Sequence, residues 1–237
     1  MVSSELDLNE ALSTEPMSRE NILSLKNQIY TSKANYEELE NKIKELKSTI
    51  STEKGTPETK KNTLILGICL WISGNQAEAF EVLATVPSSK FTCYFLGKCH
   101  QEREEYEKAL DYFERAKQAN EEEFEIQIDI AETQRLSGDY QGALKLIQKL
   151  SKGHDSEASL HYQWAHCLDN LGEYEEALTH YNRALEINPD HTNSLFRLAY
   201  YYDLNGDDEN AFEYYKKCVE NAPLYTNAML NMGLLYE

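Results

Sequence analysis

Residues of the same kind recur at intervals of 34 along the chain, and this spacing restricts the possible folds more than any other feature. The recurring positions hold a glycine, an alanine, a tyrosine, a second large residue and a proline. They are Gly138, Gly172 and Gly206; Ala109, Ala143, Ala177 and Ala211; Tyr106, Tyr140 and Tyr174; Phe113, Ile147, Tyr181 and Tyr215; and Pro189 and Pro223. A fixed period of this length indicates one structural unit repeated along the chain.

The stretch 158–191 shows why each unit is expected to form two antiparallel helices. Apolar residues three and four apart, ending at Leu168, share one face of a first helix. Gly172 then ends that helix, because glycine adopts positive φ without strain. The acidic residues in 173–176 suit the positive end of a second helix, and Pro189 breaks it. Two such helices cannot bury their own apolar faces, so neighbouring pairs are expected to stack.

This pattern resembles the tetratricopeptide repeat family over roughly residues 57–237. The resemblance implies an all-α fold, a right-handed superhelix of about five helical hairpins with a partial sixth. In the family's register the units are 60–89, 90–123, 124–157, 158–191, 192–225 and a partial 226–237, with the first unit shortened by four residues. A helical arm with a linker, residues 18–56, precedes the repeats, and residues 1–17 are expected to be flexible.

The arm carries a heptad pattern from Ile22 to Ile50 that only Ser32 interrupts. Its apolar positions are Ile22, Leu25, Ile29, Tyr36, Leu39, Ile43, Leu46 and Ile50. Two interpretations stay open: residues 18–50 form a coiled-coil homo-oligomer, or the arm folds back onto an apolar patch of the first repeats. Folding back is the favoured hypothesis, since the patch needs a cover and the arm needs a surface.

The resemblance also implies a concave groove in which a partner protein or peptide binds. Candidate contact residues at the family's groove positions are Tyr94, Lys98, Arg135, Tyr162, Gln163, His166, Arg197, Tyr200, Asn227 and Asn231. The first two units place apolar residues there, for the arm or a partner: Leu64, Ile68, Trp71, Ile72, Phe91 and Phe95. Of the residues with which chaperone-binding repeats hold a C-terminal carboxylate, only Arg197 is present, so that mode is not expected.

Charge and composition limit the partners. The chain has 23 Lys and Arg against 41 Asp and Glu, and residues 124–237 alone hold 8 against 19. Such a surface repels phosphate backbones and anionic lipids, so neither direct nucleic-acid binding nor membrane binding is expected. The acidic N-terminus is unlike a signal peptide, and five cysteines without a Cys-x-x-Cys pair are typical of reduced thiols. We therefore expect a cytoplasmic protein.

The residues most suggestive of chemistry have a structural interpretation. Cys69, Cys99 and Cys167 occupy the same first-helix position of their units, which predicts a small buried slot. His161 and His166 fall on different faces of their helix, unlike the ligands of a helical zinc site. No catalytic constellation is recognised, and we expect neither an enzyme nor a metal or cofactor.

Residues 194–237, above all the phrase TNAMLNMGLLYE, resemble the repeat region of certain bacterial proteins. The C-terminal part of those proteins is similar to the DNA-binding C-terminal domain of the RNA polymerase α subunit. Because residue 237 stops within a first helix, we expect the chain to be the front part of a longer protein. The expected function is a non-enzymatic protein–protein interaction scaffold, the adaptor region of a transcription-related protein. The alternative is a structural oligomerisation module whose arm occupies the groove within or between chains.

Overall fold

The computed structural model describes residues 8, 12, 22, 25, 26, 28–30, 32–52, 55–118, 124–222 and 225–235. Over these residues the chain forms helices and short turns without any β-strand, so the predicted all-α class is confirmed. The bounded helices are α1 (Lys33–Thr52), α2 (Pro57–Ile72), α3 (Gln76–Ala84), α4 (Lys90–Glu102), α5 (Tyr106–Gln118), α6 (Phe124–Leu136), α7 (Tyr140–His154), α8 (Ala158–Leu171), α9 (Tyr174–Ile187), α10 (Thr192–Leu204), α11 (Asp208–Asn221) and α12 (Thr226–Leu234). Within this described part, no helix is both long and apolar enough to cross a membrane.

The chain divides into two compact units, residues 1–126 and residues 127–237, and the boundary falls within α6. In the first unit α1 packs on α2, α2 on α3, α3 on α4 and α4 on α5. In the second unit α7 packs on α8, and the same succession continues to α12. Helices that follow one another in sequence are thus neighbours in space inside each unit, as expected of stacked hairpins.

The recurring small residues lie where helices approach closely. Ala143, Ala177 and Ala211 are 0%, 2% and 0% exposed, so the three equivalent alanines are buried alike. At Gly67 a Cβ atom would lie 2.5 Å from the Leu83 side chain, nearer than carbon atoms can pack. The 34-residue pattern therefore reflects helix contacts that leave no room for a larger side chain.

In three of the repeats, the first helix ends at a glycine with positive φ. Gly138, Gly172 and Gly206 have φ of 90°, 85° and 72°, which confirms the role predicted for Gly172. The position 34 residues before Gly138 holds Glu104, whose φ is 59°. A residue with a Cβ pays about 1–2 kcal/mol for this left-handed conformation. Glu104 therefore keeps the backbone conformation of the repeat pattern but lacks the glycine that adopts it without strain.

The first repeat helix begins where the sequence predicts. Thr56 is its N-cap, and its Oγ1 accepts a hydrogen bond from the backbone N–H of Thr59 at 3.0 Å. Pro57 follows as the first helical residue, where its missing N–H has no cost.

The arm is not one continuous helix: the helix is broken at Tyr30 and at Ser32, the residue that interrupts the heptad pattern. Tyr30 lies in a turn and Ser32 is not helical. The Ser32 Oγ accepts a hydrogen bond from the backbone N–H of Asn35 at 3.1 Å, so Ser32 caps the start of α1. The apolar heptad positions are nevertheless buried on both sides of this break: Ile22, Leu25, Ile29, Leu39, Ile43 and Leu46.

The expected flexible N-terminus, residues 1–17, lies outside the described residues except at two positions. Leu8 and Leu12 are helical and only 1% and 2% exposed. Burial of these two leucines is favourable, and the flexibility of residues 1–17 stays a prediction.

Candidate functional site

The predicted contact residues fall into two sets, one in each compact unit. In residues 1–126 they lie on α2 and α4 and form what we call the apolar wall: Leu64, Ile68, Trp71, Ile72, Phe91 and Phe95. In residues 127–237 they lie on α6, α8, α10 and α12 and form what we call the polar wall: Arg135, Tyr162, Gln163, His166, Arg197, Tyr200, Asn227 and Asn231. Tyr94 and Lys98 also lie on α4, and the Lys98 Nζ donates a hydrogen bond to Gln101 Oε1.

Four of the six side chains of the apolar wall are buried, and the other two, Leu64 and Phe91, are half-buried. Ile68 and Ile72 are 0% exposed, Trp71 is 2% exposed and Phe95 is 1% exposed. The ring centroids of Trp71 and Phe95 are 5.5 Å apart. Burying side chains of this size contributes about 1.5–3 kcal/mol each, so the wall stabilises its unit instead of lying open to solvent.

Residues of the arm contact the apolar wall within the same unit. The Lys26 Nζ lies 3.9 Å from the centroid of the Trp71 ring and 3.5 Å from a carboxylate oxygen of Glu102. The Tyr30 hydroxyl donates a hydrogen bond of 2.7 Å to the backbone carbonyl of Ile72. Cation–π and hydrogen-bond contacts thus join the arm to the far end of α2.

Two residues that were predicted to contact a partner are buried. Tyr94 is 6% exposed, and its ring centroid lies 5.1 Å from that of Phe95 and 5.8 Å from that of Phe113. Gln163 is 5% exposed, and its Oε1 accepts a hydrogen bond from Arg135 Nε at 3.1 Å. Both side chains are used in packing and in internal hydrogen bonds.

A three-residue network connects consecutive repeats on the polar wall. Arg197 Nη2 on α10 lies 3.0 Å from Asp169 Oδ2 on α8. Tyr181 on α9 lies between them: its hydroxyl accepts from Arg197 Nε at 3.3 Å and donates to Asp169 Oδ2 at 3.3 Å. Because Tyr181 is 3% exposed, the ion pair is anchored to the repeat core and is not a loose surface contact.

His166 is held neutral beside this network. Its Nε2 is 3.1 Å from Arg197 Nη2 and its Nδ1 is 2.8 Å from Asn170 Nδ2, so donor groups face both ring nitrogens and the doubly protonated imidazolium is disfavoured. Burial, with the positive charges of Arg135 and Arg197, lowers the pKa of His166 to about 3. At neutral pH this imidazole therefore offers hydrogen bonds but no charge.

An aromatic cluster lies around Tyr162 of the polar wall. Its ring centroid is 5.7 Å from that of His166, 6.1 Å from that of Tyr181 and 5.3 Å from that of His191. Burial raises the pKa of Tyr162 to about 12, so the phenol stays protonated at neutral pH. Aromatic rings grouped in this way provide contact area that loses little entropy on binding.

An open pocket of about 280 Å³ adjoins the network. Its lining combines rings, apolar side chains and one ion pair: Asp169, Asn170, Tyr174, Ala177, Leu178, Tyr181, Arg197, Tyr200, Tyr201 and Leu204. Three of these side chains are largely open to solvent, since Tyr174 is 58% exposed, Tyr200 40% and Leu204 69%. The pocket thus presents apolar area beside charged groups, as binding sites for polypeptide side chains do.

The five cysteines are buried free thiols. Burial raises the pKa of Cys69 and of Cys99 to about 12, and that of Cys167 and of Cys218 to about 11. Protonated thiols of this kind are poor nucleophiles and poor metal ligands. Among the residues that the structure describes, no three His, Cys, Asp or Glu side chains are grouped so as to hold a metal ion.

His161 faces inward, as predicted, and is 3% exposed. Its Nε2 lies 2.9 Å from the backbone carbonyl of Asp155, and its Nδ1 lies 3.0 Å from Nδ1 of His180. A carbonyl only accepts, so His161 Nε2 carries the proton and its Nδ1 accepts from His180. Both ring nitrogens thus have partners, and the pair joins α8 to α9.

Sequence reasoning missed the role of the buried tyrosines in the polar network. In the repeat pattern Tyr181 and Tyr215 appear only as the recurring second large residue of each unit. A signal was available, because Asp169 and Asp203 recur at the same interval of 34 as the two tyrosines. An acidic residue and a tyrosine that recur together indicate a repeated hydrogen bond.

Comparisons with known proteins agree with this architecture. Sequence models described as tetratricopeptide repeat match residues 92–125, 158–191 and 180–213. No curated protein sequence matches the chain.

Several solved structures are similar in fold. A tetratricopeptide repeat protein from Parabacteroides merdae ATCC 43184 is 15% identical over 94% of this chain and 87% of its own, with a TM-score of 0.77. A thermophilic repeat protein of Thermus thermophilus is 20% identical over 75% of this chain and 98% of its own, with a TM-score of 0.63. MamA from Desulfovibrio magneticus RS-1, from residue 41 to its end, is 16% identical over 68% of this chain and 94% of its own, with a TM-score of 0.53.

At these identities the structural likeness concerns the fold alone. The matching sequence models, the 34-residue period and the paired helices with buried alanines nevertheless point to one family. This chain therefore carries tetratricopeptide repeats within residues 92–125 and 158–213.

Proposed function

We propose that the protein is a non-enzymatic interaction scaffold whose polar wall binds an extended segment of a partner protein. The observation that carries this proposal is the open pocket of about 280 Å³ beside the Arg197–Asp169 pair. Its rim includes Tyr200, a large aromatic residue at a groove position of α10 that is 40% exposed. A partner side chain would bury this aromatic surface, while the neighbouring polar groups hydrogen-bond its backbone.

The charge of the second half of the chain narrows the partner class. Residues 124–237 hold 8 Lys and Arg against 19 Asp and Glu. Association with a basic or neutral polypeptide is favoured by this field, whereas a nucleic acid is repelled. We therefore infer a protein partner and no direct nucleic-acid contact from this part of the chain.

A photo-crosslinking experiment tests the proposal with the full chain. A photoreactive phenylalanine placed at Tyr200 is expected to crosslink a partner protein, and an excess of unlabelled chain should compete. The same residue at Lys216, which is exposed on α11, is the matched control and should give no product. Tyr200→Ala should weaken binding of the crosslinked partner about tenfold without unfolding the chain. Equal products from both positions would contradict groove binding.

A second candidate function follows from the arm. Lys26 and Tyr30 contact Trp71 and Ile72 of the apolar wall, so the arm is itself a polypeptide bound to the first repeats. The alternative proposal is an oligomerisation module in which this contact forms within or between chains. The solution mass of the full chain, compared with a chain lacking residues 1–54, tests it. Loss of a dimer on truncation supports exchange between chains, and aggregation of the truncated chain supports a cover.

A transcription context is a separate proposal. It rests on the resemblance of residues 194–237 to the repeat region of bacterial proteins with an RNA polymerase α-like C-terminal domain. We propose an adaptor role there, inside the cytoplasm. Binding of the full chain to purified bacterial RNA polymerase, measured by interferometry, would support it, and no binding at micromolar concentration would remove it.

A further inference from the structure

Two successive junctions between repeats use the same three positions. At the first junction they are Asp169, Tyr181 and Arg197, and at the second they are Asp203, Tyr215 and Asn231. Each residue of the second set lies 34 after its counterpart. The comparison therefore isolates one chemical change, the replacement of an arginine by an asparagine.

The second junction keeps one half of the first network. Tyr215, which is 0% exposed, donates from its hydroxyl to Asp203 Oδ2 at 3.1 Å and accepts from Asn231 Nδ2 at 2.8 Å. Asn231 thus reproduces the hydrogen bond that Arg197 Nε makes to Tyr181. Asn231 has no group equivalent to Arg197 Nη2, the nitrogen that contacts the carboxylate of Asp169.

The two junctions consequently differ in charge. Arg197 balances Asp169, whereas Asn231 leaves the charge of Asp203 unbalanced. In residues 127–237, each of four acidic residues has a basic partner at ion-pair distance: Glu132, Asp155, Asp169 and Glu186. Among the residues that the structure describes, Asp203 has no such partner, and it is half-buried, so its carboxylate is partly deprived of the water that would solvate it.

An aromatic ring accompanies this carboxylate. Tyr200 lies three residues before Asp203 on α10, which places both on one side of the helix. The ring is 40% exposed and is available to a cation, which binds aromatic faces favourably.

Building on the proposed groove, we infer that Asp203 binds an arginine or lysine side chain of the partner, in the way that Asp169 binds Arg197. The partner's cation supplies the contact that Asn231 lacks, and Tyr200 covers its apolar stem. Arginine suits the site better than lysine, because its planar guanidinium both pairs with a carboxylate and stacks on a ring.

The test uses two labelled mixtures of nonapeptides, randomised over uncharged residues, with either arginine or citrulline fixed at the centre. Binding to the full chain is measured by fluorescence polarisation. The wild-type chain should bind the arginine mixture about fivefold more tightly than the citrulline mixture. Asp203→Asn should reduce this ratio to about one while both mixtures still bind.

A second variant supplies the cation from the chain itself. Asn231→Arg recreates at the second junction the pair that Arg197 forms at the first, so it should also abolish the preference for arginine. Because it keeps Asp203 in place, it tests the inference even where Asp203→Asn disturbs folding. Asp208→Asn removes the same charge at an exposed position on α11 and should leave the fivefold ratio unchanged.

The outcomes separate this inference from the proposed function. Equal binding of both mixtures to the wild-type chain, or a preference that survives in Asp203→Asn and Asn231→Arg, would overturn the role of Asp203 and leave groove binding intact. Failure of both mixtures to bind would overturn the two together.

Discussion

The apolar wall and the polar wall occupy equivalent repeat positions but differ in chemistry. Trp71 is at the first-helix position that Asp169 holds later in the chain, and Ile68 is at the position of His166. Trp71 and Ile68 are buried in their unit, whereas Asp169 and His166 are half-buried and hydrogen-bonded. The difference shows that the hairpins do not depend on any one chemistry at groove positions, because small and large residues at other positions hold the helices together.

The largest expected effect is the contrast between one side chain of each wall. Trp71→Ala should destabilise the chain by about 4 kcal/mol, since it removes a fully buried indole and leaves a cavity. Tyr200→Ala should change stability by less than about 0.5 kcal/mol, since its ring is 40% exposed. Denaturant unfolding followed by far-UV circular dichroism measures both.

The chain's two tryptophans make this contrast sharper. Trp71 lies in residues 1–126 and Trp164 in residues 127–237, so Trp164 fluorescence still reports on the second unit in the Trp71→Ala variant. Similar losses in the Trp71→Ala and Tyr200→Ala variants would break the comparison, because the polar wall would then be as structural as the apolar one.

Glycines at one repeat position give a second contrast. At Gly97 a Cβ would lie 2.7 Å from the Phe113 ring, so Gly97→Ala should cost about 2 kcal/mol through overpacking. At Gly233, the equivalent residue of α12, nothing lies within 4 Å of a Cβ. Gly233→Ala should therefore raise stability by about 0.5–1 kcal/mol through helix propensity.

Urea midpoints of the two variants, measured side by side, check this pair. A loss of stability in Gly233→Ala as large as in Gly97→Ala would mean that packing does not differ between these repeats. A neutral Gly97→Ala would mean that the Phe113 ring shifts aside easily.

Much of the fold could be predicted because it depends on short-range rules. The alanines that recur every 34 residues, Gly172 at a helix end and the Thr56–Pro57 start each follow from local backbone chemistry. The heptad pattern marks Ser32 as its one interruption but does not show that the helix breaks there, because apolar positions recur on both sides while Ser32 caps a new helix. A periodic apolar pattern reports which residues are buried, not whether the helix between them is continuous.

The polar wall was predicted less well than the fold. Residues were assigned to the wall from repeat register, which places Arg135 and Gln163 on the same face but cannot show that they bond to each other. Contacts between side chains of different repeats depend on rotamers and on burial. The sequence therefore predicts where a groove residue lies, but not how much of its hydrogen-bonding capacity is already used internally.

His166 of the polar wall should make stability depend on pH, whereas Ile68, at the equivalent position of the apolar wall, has no group that titrates. The pKa of His166 falls to about 3 in the folded chain, from 6.5. The unfolded chain therefore takes up the proton first as pH decreases, so stability is complete above about pH 6.5 and is lost below it. Between pH 7.5 and pH 5.5, His166 should account for a loss of about 1.4 kcal/mol.

The variant His166→Gln isolates this contribution. Its loss of stability over the same pH interval should be smaller than that of the wild-type chain by about 1.4 kcal/mol, as measured by urea unfolding. His154→Gln, which removes a histidine from the end of α7, serves as the control. An unchanged pH dependence in His166→Gln would show that Arg135 and Arg197 do not hold this imidazole neutral.

The smallest expected effect concerns a helix end in the first unit. Glu104 adopts a φ of 59° where Gly138 and Gly172 occupy the same repeat position with φ of 90° and 85°. Glu104→Gly should raise stability by about 0.5–1 kcal/mol, because relief of the left-handed strain exceeds the extra entropy that glycine gives the unfolded chain. Glu104→Ala keeps the strain and removes the carboxylate, so thermal melts of the two variants separate backbone from charge. If the alanine variant gains as much stability as the glycine variant, the gain comes from removing one negative charge beside Glu105. Backbone strain at Glu104 would then not distinguish this helix end from those at Gly138 and Gly172.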